Sequence, residues 1–113
     1  MRPEAKKYLS DISEAADLLA GFLAGKSEEG YKTDPLLRSA VERQFEIVGE
    51  ALSRLVRLDE SAASRISQHR RIISFRNILV HGYAQVDDHL VWDIAMTHLP
   101  MLREEVAALL REG

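Results

Sequence analysis

The sequence predicts an all-α protein, an up-and-down bundle of four or five helices. Three observations carry that expectation. Apolar residues recur at three- and four-residue steps along nearly the whole chain, no stretch alternates apolar and polar residues as a half-buried strand would, and helix start and stop signals fall at the ends of the periodic segments.

In residues 3 to about 24, Tyr8, Ile12, Ala15, Ala16, Leu19, Phe22 and Leu23 share one face of an amphipathic helix. Gly21 and Gly25 weaken its end, and the polar run over 25–33 reads as a loop. Asp34 and Pro35 then start a long helix. An aspartate cap accepts a backbone hydrogen bond, and a proline at the first helical position lacks a donor that would be orphaned anyway. That helix runs to about residue 58 on a stripe of Leu37, Val41, Phe45, Val48, Leu52, Leu55 and Val56, broken by Gln44. Residues 59–67 are polar and small, a connection with room for one helical turn. A third long helix spans 68 to 80 or 81 and stops at Gly82, since glycine accepts the left-handed conformation that ends helices. Val86, Asp87 and Asp88 offer another cap, and helical spacing continues through Leu90, Val91, Ile94, Ala95, His98 and Leu99. Pro100 should kink or divide this last segment, whose face resumes with Met101, Leu102, Val106, Leu109 and Leu110.

At 113 residues the sequence reads as one domain, residues 1–113, and any site must lie on one bundle or between two copies of it. Hydrophobic residues at 46% and charged ones at 29% exclude a disordered chain. The lack of an apolar run of about eighteen residues, and an N-terminus that leads into an amphipathic segment, point to a cytoplasmic protein with no membrane contact. Without cysteine there is no disulfide or thiolate metal site, and His69, His81, His89 and His98 lack metal-ligand spacing, so no metal and no cofactor is expected. A formal charge of −3 argues against wrapping nucleic acid by bulk electrostatics but allows a local basic cleft, and Arg65, Arg70, Arg71 and Arg76 crowd together.

The segment 74–83 sets an arginine, an amide, an imidazole and a phenol in an otherwise apolar helix. An unpaired buried guanidinium would cost several kcal/mol, so Arg76 needs a partner or a solvent-lined cleft. At about 3.6 residues per turn, Arg76 and His81 lie well off a common line. Two copies about a two-fold axis could nonetheless combine an arginine and a histidine from each. His81, at the helix C-terminus, is placed to exchange protons near neutral pH. Metal-free RNA cleavage needs a proton-transfer group and a fixed cation, and these two residues are of those types. On spacing alone the structural reading stays open, with Arg76 paired to Glu46 or Glu50 and His81 capping carbonyls.

The octapeptide RNILVHGY over 76–83 resembles the R-x4-H-x-Y signature of HepT-like HEPN proteins. The segments VERQFEIVGEA (41–51), VDDHLVWDI (86–94) and LPML (99–102) resemble the same group, so the similarity runs from about residue 33 onward. The resemblance implies a HEPN bundle and a homodimer with a composite cleft. It also implies a metal-independent endoribonuclease, acting as a toxin opposite a cognate MNT-type nucleotidyltransferase antitoxin. Carried onto this chain, it makes Arg76 and His81 the catalytic pair on an RNA substrate. Asn77 becomes an orienting residue, and Tyr83 both a site residue and the acceptor of an AMP group. The rival readings are a non-catalytic HEPN subunit that holds a nucleotidyltransferase or a nucleotide, and a purely structural dimer.

Four further expectations come from the residues. Glu42, Glu46 and Glu50 share a helical face and suit charge compensation of Arg76 or of an arginine from a second copy better than a metal site. Gly49, at a cost of about 1 kcal/mol in mid-helix, should let a neighbouring helix or a second copy approach closely. Arg70 and Arg71 are candidates for phosphate contact. Trp92, Phe75, Phe45 and Phe22 are expected in the core or a dimer interface, and His69, His89 and His98 without a role.

Overall fold

A computed structural model describes residues 1–82 and 86–113. Its elements are α1 (Pro3–Leu23), α2 (Glu28–Lys32), α3 (Pro35–Leu58), α4 (Glu60–Ala63), α5 (His69–His81) and α6 (Asp88–Glu112), with no strand among the described residues. The four long helices make the bundle. No helix among the described residues is long and apolar enough to cross a membrane.

The starts follow the expected chemistry. Asp34 accepts from the Leu37 amide at 3.1 Å and Asp87 from the His89 amide at 2.9 Å. Asp59 caps the one-turn α4 through the Ala62 amide at 3.0 Å.

Three expectations need correcting. Residues 25–33 are not all loop, because Ser27 caps the five-residue α2, and Tyr31 from that helix is fully buried beside Trp92 at 6.0 Å between ring centroids. Pro100 does not divide the last helix, which runs unbroken to Glu112. The proline lies on the exposed side, where water can take the carbonyl it leaves unpaired. Gly82 does end α5, though not by a left-handed turn, since its φ is −106°. Its amide donates to the Ile78 carbonyl at 2.7 Å, and a Cβ there would stand 2.8 Å from that same oxygen. What matters is the absent side chain.

Helix α3 is the spine. Helices α1 and α5 both pack on it, and α5 makes only slight contact elsewhere. Ile72, Phe75 and Leu79 form the buried line of α5, and Phe75 meets Phe45 of α3 edge-on, with centroids 5.3 Å apart and planes at 80°. Such a pair adds about 1 kcal/mol beyond area burial. The start of α5 is tied to α6 by Ser67, whose amide and hydroxyl donate to Glu105 at 2.9 and 2.7 Å. These bonds offset the left-handed Gln68 (φ 60°) that follows.

At Gly49 the two helices come closest. A Cβ at that position would lie 2.2 Å from Cβ and 2.6 Å from Cγ of Arg76, so the arginine stem occupies the space a side chain would fill. The expected close approach is therefore by a neighbouring helix of the same chain. Gly49→Ala should lower unfolding stability by about 1–3 kcal/mol in urea denaturation, although alanine is the better helix former. A gain in stability would show that α5 can lift away at no cost.

Candidate functional site

The buried line of α5 sets where its polar residues point. Arg76 is one turn after Ile72 and just under one turn before Leu79, so it lies at the edge of the buried face, and its side chain is 29% exposed. Its stem rests on Gly49 and its Nη2 pairs with Glu50 Oε2 at 2.9 Å. Its Nη1 donates to Asn77 Oδ1 at 3.0 Å. Consecutive residues of α3 thus hold the two ends of one side chain, Gly49 the stem and Glu50 the head.

Of the acidic stripe, Glu50 compensates Arg76. Glu46 pairs with Arg43 at 3.4 Å, and the Glu42 carboxyl is pushed up by burial and then by Asp88. Glu50 also accepts from Arg54 Nε at 3.0 Å through its other oxygen, Oε1. One carboxylate therefore serves two guanidiniums. The Arg54 hydrogen bond holds the Glu50 carboxyl below the usual range; burial opposes it, and the Arg76 charge adds a lesser lowering.

An open groove of about 260 Å³ lies over this cluster, with Tyr8 and Asp11 of α1, Arg43, Glu50 and Arg54 of α3, and Arg76 among its lining residues. Ile47, Ala51 and Val80 give it an apolar part. Tyr8, Arg43, Arg54 and Val80 were not expected here from the sequence. The signal that could have found Arg54 is its spacing, four residues after Glu50, which pairs the two on α3.

His81 is exposed at the last turn of α5, open to solvent and not enclosed in the core. Arg76 and His81 do not share a face. Asn77 connects their positions, because it takes a hydrogen bond from Arg76 and stands four residues before His81 on the same stripe. The residue expected to orient substrate or histidine is thus engaged with the arginine. Tyr83 lies outside the described residues. Arg71 is exposed on α5 and is not among the groove-lining residues, and its charge acts on His98 of α6. Arg70 reaches back to Glu60 at 3.3 Å. Phe45 and Phe75 are buried, whereas Phe22 and Trp92 are partly covered against the core.

Chemically, the arrangement offers a guanidinium held by an ion pair at the edge of an open groove and a solvent-exposed imidazole at the end of the same helix. An all-helical bundle carrying this pair on one helix is of the HEPN type. The family model described as "Ribonuclease HepT-like" matches residues 12–109, and the chain belongs to that family. It is 31% identical over 112 residues to a Methanocaldococcus jannaschii protein named "Gamma-glutamylcyclotransferase and putative RNase", covering 99% of this chain and 50% of that one. The chain therefore spans about half the length of that relative. It is 31% identical to a "Probable ribonuclease HepT" of Thermococcus cleftensis over 91% of this chain and 93% of the other. It is 28% identical to a "Putative RNase" of Caldanaerobacter subterraneus over 95% of each. No solved structure matches the chain at a comparable level of significance.

The environment of Arg71 has its own reporter. Burial first, and the Arg71 charge second, push His98 below the ordinary imidazole value of 6.5, with Asp93 opposing them. Arg71→Ala should move the His98 midpoint upward in an NMR titration yet leave it below 6.5. Because the folded value is depressed, the stability tied to His98 is present above 6.5 and is lost as pH falls through the folded value. A midpoint unmoved by Arg71→Ala would separate the two side chains.

Proposed function

We propose that this chain is a metal-independent endoribonuclease, the toxin of a HEPN/MNT toxin-antitoxin pair. In this reading it acts in the cytoplasm as a homodimer whose two copies build a composite cleft. The observation that carries the proposal is the seating of Arg76. Its guanidinium is locked by Gly49 and Glu50 at the edge of an open groove, while His81 faces solvent at the end of the same helix. The ribonuclease names of the relatives support it.

The chemistry follows from the groups. The 2′-oxygen of the RNA attacks the adjacent phosphorus, the bond to the 5′-oxygen breaks, and a 2′,3′-cyclic phosphate and a free 5′-hydroxyl result. His81 either takes the proton from the attacking hydroxyl or supplies one to the leaving oxygen. Arg76 stabilises the charge that builds on the non-bridging oxygens, and it is effective because it is held in place before substrate arrives. Asn77 orients Arg76, and Arg71 meets phosphate further along the strand.

Tyr83 is the acceptor for silencing by the nucleotidyltransferase partner. Its phenolic oxygen bonds to the α-phosphorus of ATP and pyrophosphate leaves. The AMP phosphate then competes with RNA for Arg76.

His81→Ala should reduce cleavage of RNA by about 10²–10⁴-fold, and Arg76→Ala by at least about 10²-fold, with unchanged helical circular dichroism and no effect of chelator on the wild type. Full cleavage by His81→Ala would remove it from the mechanism. Mass spectrometry of the chain co-expressed with its nucleotidyltransferase should find one AMP group on Tyr83, and an unmodified tyrosine in a silenced protein would leave steric cover as the means of control.

A further inference from the structure

The Glu50 carboxylate holds two guanidiniums at once, Arg76 Nη2 at 2.9 Å on one oxygen and Arg54 Nε at 3.0 Å on the other. The charges around it do not cancel. Arg43 is paired with Glu46, and Asp11 is met by Lys7 at 2.6 Å, so each of those pairs is neutral. Arg54 and Arg76 together carry two positive charges against the single negative charge of Glu50. One positive charge is therefore left at the floor of the groove, the complement of one phosphodiester.

Donor supply points the same way. An arginine has five N–H donors, and Arg76 is met among the described residues by only two acceptor groups, Glu50 and Asn77, with its Nε left unpartnered. Arg54 spends its Nε on Glu50, is 56% exposed and lines the groove together with Tyr8. A groove of about 260 Å³ is smaller than the several hundred Å³ of usual small-molecule pockets and suits one link of an extended strand.

We propose that Arg54 is a second substrate-binding arginine, which with Arg76 forms a two-guanidinium seat for a single RNA phosphodiester. Glu50 is the positioning residue that keeps the two forks aligned. The inference rests on reading the groove as the RNA site. Glu50 acts through the arginines and does not touch substrate. Its removal leaves the positive charge in place but frees both side chains, so chemistry should suffer more than binding.

The test uses the full chain and a single-stranded RNA methylated at every 2′-oxygen, which cannot be cleaved because its nucleophile is blocked. Arg54→Ala should weaken binding of this strand about tenfold and reduce the slope of log affinity against log salt by about one, the loss of one phosphate contact. Arg54→Lys should keep the slope with lower affinity, since an ammonium lacks the planar fork. With cleavable RNA, Glu50→Gln should lower kcat with no rise in KM. Wild-type affinity and slope in Arg54→Ala would overturn the seat, as would failure of the wild-type chain to bind the methylated strand. Displacement of the strand by inorganic phosphate at comparable concentration would assign the seat to free phosphate and overturn the strand reading. Arg54-dependent binding of the methylated strand without cleavage of ordinary RNA would leave the seat standing and overturn the proposed activity alone.

Discussion

The contact of Arg76 with the Gly49–Glu50 step of α3 is the constraint on which the rest of the site depends. A guanidinium carried on a long flexible stem is a poor catalytic cation unless its position is decided before the ligand arrives. Here a missing side chain makes the bed for the stem and the next residue supplies the counter-charge. Both lie on the helix that organises the whole bundle, so the arginine inherits the rigidity of the core. The Phe45–Phe75 contact braces the same pair of helices beside it.

Arg76 and Glu50 form the ion pair that the structural reading of the sequence also expects, but the pair is not fully buried. A fully buried Arg–Glu couple would need its remaining donors satisfied by protein, and desolvation would offset much of its attraction. Arg76 is instead about one-third exposed, and Glu50 is divided between two arginines. The cluster is closed on the side of α3 and open on the side of the groove. Such a site holds its own geometry and still has charge and donors to offer.

Helix α5 is packed from one side. Its buried residues fall on α3, while Asn77, Ile78, Val80 and His81 remain exposed, the two aliphatic side chains at 45% and 37%. An outer helix of this kind can present an imidazole and an amide to a ligand without cutting into the core. It is anchored where precision matters: at its start through Ser67 and Glu105, and midway through Gly49. The packing thus leaves an ion-paired arginine at the core edge and an accessible histidine at the tip.

Much of the fold was legible in the residues because the local rules of helices are strong. The long periodic stripes, the aspartate caps at Asp34 and Asp87, and the stop at Gly82 each express an interaction that spans four residues or fewer, and they mark the element boundaries to within a residue or two. The segment around Tyr31 was missed because five residues carry too short a pattern. Tyr31 is buried where α2 packs on α3 and α6, beside Trp92 sixty-one positions away. The choice of Arg76, His81 and Asn77 came from the motif, and the need of Arg76 for a carboxylate came from electrostatics. Which carboxylate answered, Glu50 and not Glu46, was decided only when α5 settled on α3 at Gly49. The same docking brought Arg54 and Tyr8 into one groove with Arg76. By itself the sequence determined the helices and the kind of residue each face carries, because those depend on neighbours along the chain. The tertiary structure alone decided which charges meet, because ion pairing between helices depends on the few ångströms of separation that side-chain packing sets.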